Sequence, residues 1–423
     1  MAHGRRPRRS PGGRGRRPGG GHRRGRGAAL AALTAALTAA VTLALVPGVA
    51  AQPTAASIGG AYTFLGTMMD RYAGGSQLRL VQSYSSGTLE REGVEDSFTY
   101  DDALIVDALL ARGEPEDLAP AEVLGRSLLY VQEHDPAGDG RVRAAYAPTP
   151  LSSPADVTAT DPTSDVGNMA WVGQALVHLY ERTGTPAFLE GARELARWIQ
   201  TEAYDERGAG GYTGGEEPDG ARVTWKSTEH NIDLFSFFSL LAGAGGEAAW
   251  SQAAAHARGF VEAMWEPRKD MFWVGTAEDG VKPNRHLQVE DVNSWSYLAL
   301  RDPRFATSLD WISKDLAVTK KGFSGVSFCR RSRRGVWFEG TAHLADALLV
   351  RGGPGDEEAA ERYLGDIEHA QLAGPNNDGE GIIAASRDGV GTCEGEAYDA
   401  SLHTGATSWY VLAAQSVDPF APL

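Results

Sequence analysis

The sequence predicts an all-α fold, an (α/α)6 barrel in which six inner helices are ringed by outer ones and the long loops gather on one face. Three patterns carry that expectation: helical stripes with one wet face, a second set of segments apolar nearly all round, and a regular alternation of the two.

Apolar residues at i, i+3, i+4 and i+7 mark the first set. Phe188, Ala192, Leu195 and Ile199 form one stripe, and Trp250, Ala253, Ala257, Phe260 and Met264 another. Residues 124–131, 309–316, 360–367 and the shorter 62–72 behave likewise. Between them lie residues 101–110, 169–180, 234–241, 295–300, 342–350 and 406–414, which have almost no polar face and therefore need cover on every side. With starts near Asp101, Asn168, His230, Val292, Phe338 and Thr404, these buried segments recur after 67, 62, 62, 46 and 66 residues. An open solenoid is the alternative. Its repeats are usually nearer roughly 33 to 47 residues and its end helices carry polar caps, whereas here the terminal segments are as apolar as the middle ones.

The connections differ sharply in length. Inner-to-outer turns at 113–120, 184–185, 246–247, 301–305 and 352–355 take 8, 2, 2, 5 and 4 residues. Outer-to-inner loops at 73–98, 135–167, 203–229, 266–291, 319–337 and 372–403 take 26, 33, 27, 26, 19 and 32. All the long loops therefore meet the N-terminal ends of the inner helices, and binding residues concentrate on such loops when a rigid scaffold carries them.

Residues 1–27 hold ten arginines and no carboxylate, and no charge follows from Ala28 to Gln52. This is an export signal over residues 1–51, with Ala51 as the expected cleavage position and either the twin-arginine or the Sec route open to it. The remaining single domain, residues 52–423, has 30 basic against 55 acidic residues, a formal charge of −25. A secreted protein of that charge, with no stable membrane span once the signal is removed, repels nucleic acid and favours neutral or cationic partners. Cys329 and Cys393 match no zinc pattern and can bridge outside the cell. No cofactor and no metal is expected. The acidic turns at 135–141 and 375–380 are read as turns rather than calcium loops.

The openings of the inner segments hold polar and aromatic residues: Thr99, Tyr100, Asp101 and Asp102; Asn168 and Trp171; Glu229, His230, Asn231 and Asp233; Glu290, Asp291, Asn293 and Trp295; Trp337, Phe338 and Glu339; His403, Thr404, Ser408 and Trp409. Helix capping accounts for Thr99, Asp102, Asn293 and Thr404. It accounts poorly for a histidine beside a glutamate, or for Trp171, Trp295, Trp337 and Trp409, which are either core residues or flat faces for sugar C–H surfaces. His178 and His343, within the inner segments, read as hydrogen-bonded core residues.

The runs Lys226-Ser227-Thr228-Glu229-His230-Asn231-Ile232-Asp233, Tyr100-Asp101-Asp102-Ala103-Leu104 and Trp337-Phe338-Glu339-Gly340-Thr341-Ala342 resemble a bacterial branch of the six-hairpin glycosidase superfamily, over residues 62–414. The resemblance implies an (α/α)6 barrel and a polysaccharide or oligosaccharide substrate. Because that superfamily also holds lyases and epimerases, the chemistry rests on the residues.

Glycosidic hydrolysis needs a proton donor and an opposed carboxylate. Glu229 is the expected general acid, and Asp101 and Asp291, from facing helices one and four, are the leading bases, followed by Glu339. Tyr100, Asp102, Asn168, Trp171, His230, Asn231, Asp233, Trp295, Trp337, His403 and Trp409 are the expected substrate contacts. A wide helical barrel suits the roughly 6.5–9.5 Å carboxyl spacing of inverting enzymes. Two alternatives stand beside hydrolysis. One is a uronate lyase or sugar epimerase, drawing on His230, Tyr100 and the patch of Arg330, Arg331, Arg333 and Arg334. The other is a noncatalytic polysaccharide-binding protein.

Overall fold

A computed structural model describes residues 52–423 apart from 394; the expected export segment lies outside the described residues. In chain order the helices are α1 (Ala55–Met69), the short α2 (Gly87–Arg91), α3 (Thr99–Arg112), α4 (Leu118–Glu133), α5 (Val166–Thr183), α6 (Pro186–Glu202), α7 (Thr228–Gly245), α8 (Ala248–Ala263), α9 (Asp291–Leu300), α10 (Thr307–Asp315), α11 (Phe338–Arg351), α12 (Asp356–Ala373) and α13 (Thr404–Ala414). Among the described residues, no helix is long and apolar enough to cross a membrane.

The inner ring consists of α3, α5, α7, α9, α11 and α13. Each packs on the next, and α13 returns to α3, so the ring closes as expected. Burial follows the sequence pattern. Helix α3 is buried without a break from Thr99 to Leu110, and α13 from Thr404 to Ala413. Outer helices bury only a stripe, such as Ala360, Tyr363, Leu364, Ile367 and Ala370 of α12. The six inner starts fall within two residues of their expected places. One outer boundary differs: α1 stops at Met69, and Tyr72 belongs to the following loop, where its hydroxyl donates to Gln82 at 2.7 Å.

The short turns owe their brevity to a left-handed residue at the helix end. Gly113, Gly184, Gly246 and Gly352 take φ of 64°, 67°, 68° and 60°, which glycine adopts without a Cβ clash, and the chain reverses at once.

At the other end the long loops are stitched into a belt. The residues just before each inner helix pair antiparallel with a neighbouring loop: Ser97–Phe98 with Ala145–Tyr146, Ser164–Asp165 with Gly215–Glu216, Ser227 with Gly275, Val289 with Cys329, Trp337 with Ala385, and Leu402–His403 with Tyr84–Ser85. A Cys329–Cys393 disulfide, Cα atoms 6.3 Å apart, ties the last two of the long loops together.

Five inner helices carry the same anchor one turn in. Asp102, Asn231, Asn293, Thr341 and Thr407 accept the backbone N–H groups of Val81, Tyr212, Phe272, Val326 and Ile382 at 2.8–3.1 Å. All but Asp102 also donate to the carbonyl four residues earlier. Each anchor satisfies a loop amide that burial would otherwise leave without a partner. Asp102 and Asn231, expected among the substrate contacts, are therefore loop ties. Burial pushes the Asp102 carboxyl up to about 8 despite the bonds it accepts from Val81 and Ser97.

Candidate active site

The anchors set the rotational register of the ring, and that register decides which side chains face the axis. Two residues before each anchor stand Tyr100, Glu229, Asp291, Glu339 and Gly405, and Gly167 holds the equivalent place on α5. One turn deeper, at i+4, lie Leu104, Trp171, Asp233, Trp295, His343 and Trp409. Three of the six upper positions are thus acidic, and three of the six lower ones are tryptophan.

Two small hollows open between these layers. The first, about 10 Å3, is lined by Tyr100, Asp165, Gly167, Asn168, Trp171, Glu229, His230 and Asp233. The second, also about 10 Å3, is bounded by Tyr100, Glu229, Asp291, Trp295, Phe328, Trp337, Glu339, His343 and Tyr398. Tyr100 and Glu229 belong to both, so the two hollows adjoin. Each has room for about one water, far below the roughly 300–1,000 Å3 usual for small-ligand pockets.

Three of the four expected catalytic carboxylates, Glu229, Asp291 and Glu339, share the second hollow. The fourth does not. One residue turns a helix by about 100°, so Tyr100 faces the axis and Asp101 points aside toward α13. There it meets His403 Nε2 at 3.3 Å, in space kept open because position 405 is glycine: a Cβ on Gly405 would strike the Asp101 carboxylate and the His403 ring. The facing pair expected of Asp101 and Asp291 is replaced by Tyr100 and Asp291.

Glu339 is engaged from several sides. The Tyr100 hydroxyl donates to its Oε1 at 2.7 Å and itself accepts from Trp409 Nε1 at 2.7 Å. His403 Nδ1 lies 3.6 Å from its other oxygen, and His343 Nε2 3.8 Å from Oε1. Burial raises the Glu339 carboxyl from 4.5 to about 7, with the Asp101 charge adding to the rise and His403 opposing it. For His403, burial favours the neutral ring, but Asp101 and Glu339 outweigh it and the basicity rises. The imidazole also stacks on Tyr84 with centroids 4.2 Å apart. Glu229 is only half-buried and so stands at the mouth, whereas Glu339 and Asp291 are enclosed.

The remaining expected residues divide. Asn168, Trp171, His230 and Asp233 line the first hollow; Trp295 and Trp337 line the second. Trp409 lies behind Tyr100, fully buried, and packs with Trp171 and Trp295 around Phe420 of the C-terminal tail. The arginine patch lines neither hollow. Arg330 pairs with Asp315 and bonds Gln288, and Arg333 donates to the Ala317 carbonyl.

His343 is the buried, hydrogen-bonded residue expected from sequence, with Nδ1 3.2 Å from Glu290, and it also lines the second hollow beside Glu339. Its i+4 spacing from Glu339 was the available signal. Asp165 was also missed. It caps α5 through the Gly167 amide at 2.8 Å and approaches His230 Nε2 at 3.4 Å. Phe328 and Tyr398 arrive on loops, which have no periodicity to reveal them.

No family profile and no curated protein matches the chain. Solved structures do. A sugar epimerase from a ruminal bacterium superposes with TM-score 0.62 at 13% identity, covering 85% of this chain and 99% of its own. A glycosidase gives 0.60 at 13%, covering 86% and 97%. Cellobiose 2-epimerase from Bacillus thermoamylovorans gives 0.62 at 10%, covering 84% and 98%. The chain thus has the (α/α)6 toroid fold, like these solved structures.

Proposed function

We propose that the protein is a carbohydrate-active enzyme, exported from the cell, that hydrolyses glycosidic bonds in an oligosaccharide or polysaccharide. The observation that carries this reading is the convergence of Glu229, Asp291 and Glu339 on one hollow with aromatic walls. Similarity to glycosidases and sugar epimerases supports a saccharide substrate. Glu339 takes the general-acid role first given to Glu229: a carboxyl titrating at about 7 holds its proton near neutrality and can pass it to a leaving oxygen. Glu229, at the mouth, is suited to activate water. Helix α9 stands between the two helices that carry them, which favours the wide spacing of inversion.

The test is an assay of residues 52–423 against a panel of saccharides, reading reducing ends, with Glu339→Gln in parallel. Hydrolysis with a drop of about 10²–10⁴-fold in kcat for the variant is expected. NMR should show an inverted first-formed anomer, and a retained one rejects the water-activating role. Unchanged turnover in the variant sinks the assignment of Glu339.

A second reading, a sugar epimerase or isomerase, is favoured by His230 and His343 in the two hollows and by the small size of both. It predicts a changed sugar with no new reducing end.

A further inference from the structure

The first hollow has a chemistry that bond cleavage in the second does not use. It exists because position 167 is glycine, where a Cβ would run into the His230 ring. Asp165, Glu229 and Asp233 border it, and among the described residues no lysine or arginine lines either hollow. Below lies the Trp171 ring, and Tyr100 forms a side wall.

Acidity alone would not make this a site. Among the described residues, three buried polar atoms in its walls lack a hydrogen-bond partner: the acceptor Asp233 Oδ1, His230 Nδ1 and the donor Trp171 Nε1. Asp233 is 1% exposed and Trp171 1%, so water outside the barrel does not serve them. A buried carboxylate oxygen without a donor is costly, by about 1–3 kcal/mol or more, and is retained where a ligand supplies the bond. Burial, reinforced by Glu229 and Asp165, pushes the Asp233 carboxyl well above its ordinary range, so an arriving cation would favour its charged form.

An anionic guest meets three carboxyls and, among the described residues, no lysine or arginine. The space takes one water-sized group and not a sugar ring. An ammonium group is of that size and supplies three donors and a charge, which Asp233 Oδ1 and His230 Nδ1 can accept, whereas Trp171 Nε1, itself a donor, is left to a sugar oxygen or water beside it. We propose that the hollow over Gly167 is a subsite for the ammonium group of an amino sugar, so that the substrate carries a free amine next to the bond cleaved in the adjoining chamber. The inference deepens the hydrolase reading and rests on it for the neighbouring chemistry, but the amine subsite is tested by binding alone. The acidic surface expected from composition works in the same direction, attracting a cationic saccharide.

Calorimetric titration of residues 52–423 with glucosamine, galactosamine, N-acetylglucosamine, glucose, glucuronate and methylammonium tests the subsite. Either amino sugar should bind at least about tenfold more tightly than glucose or N-acetylglucosamine, a difference of about 1.4 kcal/mol; glucuronate should not bind. Asp233→Asn, isosteric with the protonated carboxyl, should abolish the preference, and circular dichroism checks that it folds. Gly167→Ala, which narrows the chamber, provides an independent loss of amine binding. No preference for an amine, or no binding of either amino sugar, overturns the proposal. Methylammonium binding as well as glucosamine overturns the sugar part of it. Neither result touches the assignment of Glu339, which is read from turnover.

Discussion

The two ends of the inner ring are built from the same six helices and differ in almost everything else. At the loop-bearing end, helix N-termini present their partial positive charges to a belt of carboxylates, and chambers remain between the side chains. At the opposite end the turns are short, and residues 416–423 fold inward. Phe420 packs on Trp171, Trp295 and Trp409, the Asp418 carboxylate pairs with Arg301 at 2.8 Å, and His178 Nδ1 meets Asp107 at 2.8 Å. The difference teaches where strain is tolerated. Buried polar groups at the floor surround a packed aromatic cluster and are paired only in part, since neither Asp346 oxygen has a hydrogen-bond partner among the described residues, whereas those at the mouth border the hollows, with Glu339 near neutrality and Asp233 Oδ1 without a donor.

That contrast can be broken by mutation. The largest effect belongs to Glu339→Gln, which should remove two to four powers of ten in kcat and leave denaturant unfolding within about 1 kcal/mol of the parent, since glutamine keeps the acceptor for Tyr100. Phe420→Ala should do the reverse. A buried phenylalanine truncated to alanine costs about 3–5 kcal/mol, read from denaturant midpoints, while kcat in the absence of denaturant stays within tenfold. If turnover falls as far as in Glu339→Gln, the division between floor and mouth is wrong.

A pH profile sharpens the mouth itself. Because Glu339 must be protonated to donate, kcat/KM should decline as pH rises through about 7. His403 is the charge that most opposes the rise of Glu339, with the Tyr100 hydrogen bond adding to it, so His403→Gln should move this limb upward, by about one pH unit. An unmoved limb would detach Glu339 from His403. The smallest effect is expected at a turn: Gly184→Ala meets no atom within 4 Å, so its cost is the left-handed backbone alone, about 1–2 kcal/mol in thermal or chemical unfolding.

Much of the architecture was legible because its signals are local. Apolar periodicity marked the inner helices to within two residues, and unequal loop lengths marked the face where the candidate site lies. The site was legible only to the level of which helix openings matter. Asp101 and Tyr100 are adjacent, and only the anchors decide which turns inward. His343 is buried and hydrogen-bonded as its place within an inner helix implied, but that it also borders the hollow one turn below Glu339 came only from the packing.

The sequence by itself determined the helix pairs, their closure into a ring and the crowding of acids at one rim, because each follows from spacing along a single chain. Tertiary structure alone decided which acids meet, which are turned into loop ties and which of them keeps a proton at neutral pH. Those properties depend on rotation about six helix axes and on the exclusion of water, and both arise only when distant parts of the chain pack together.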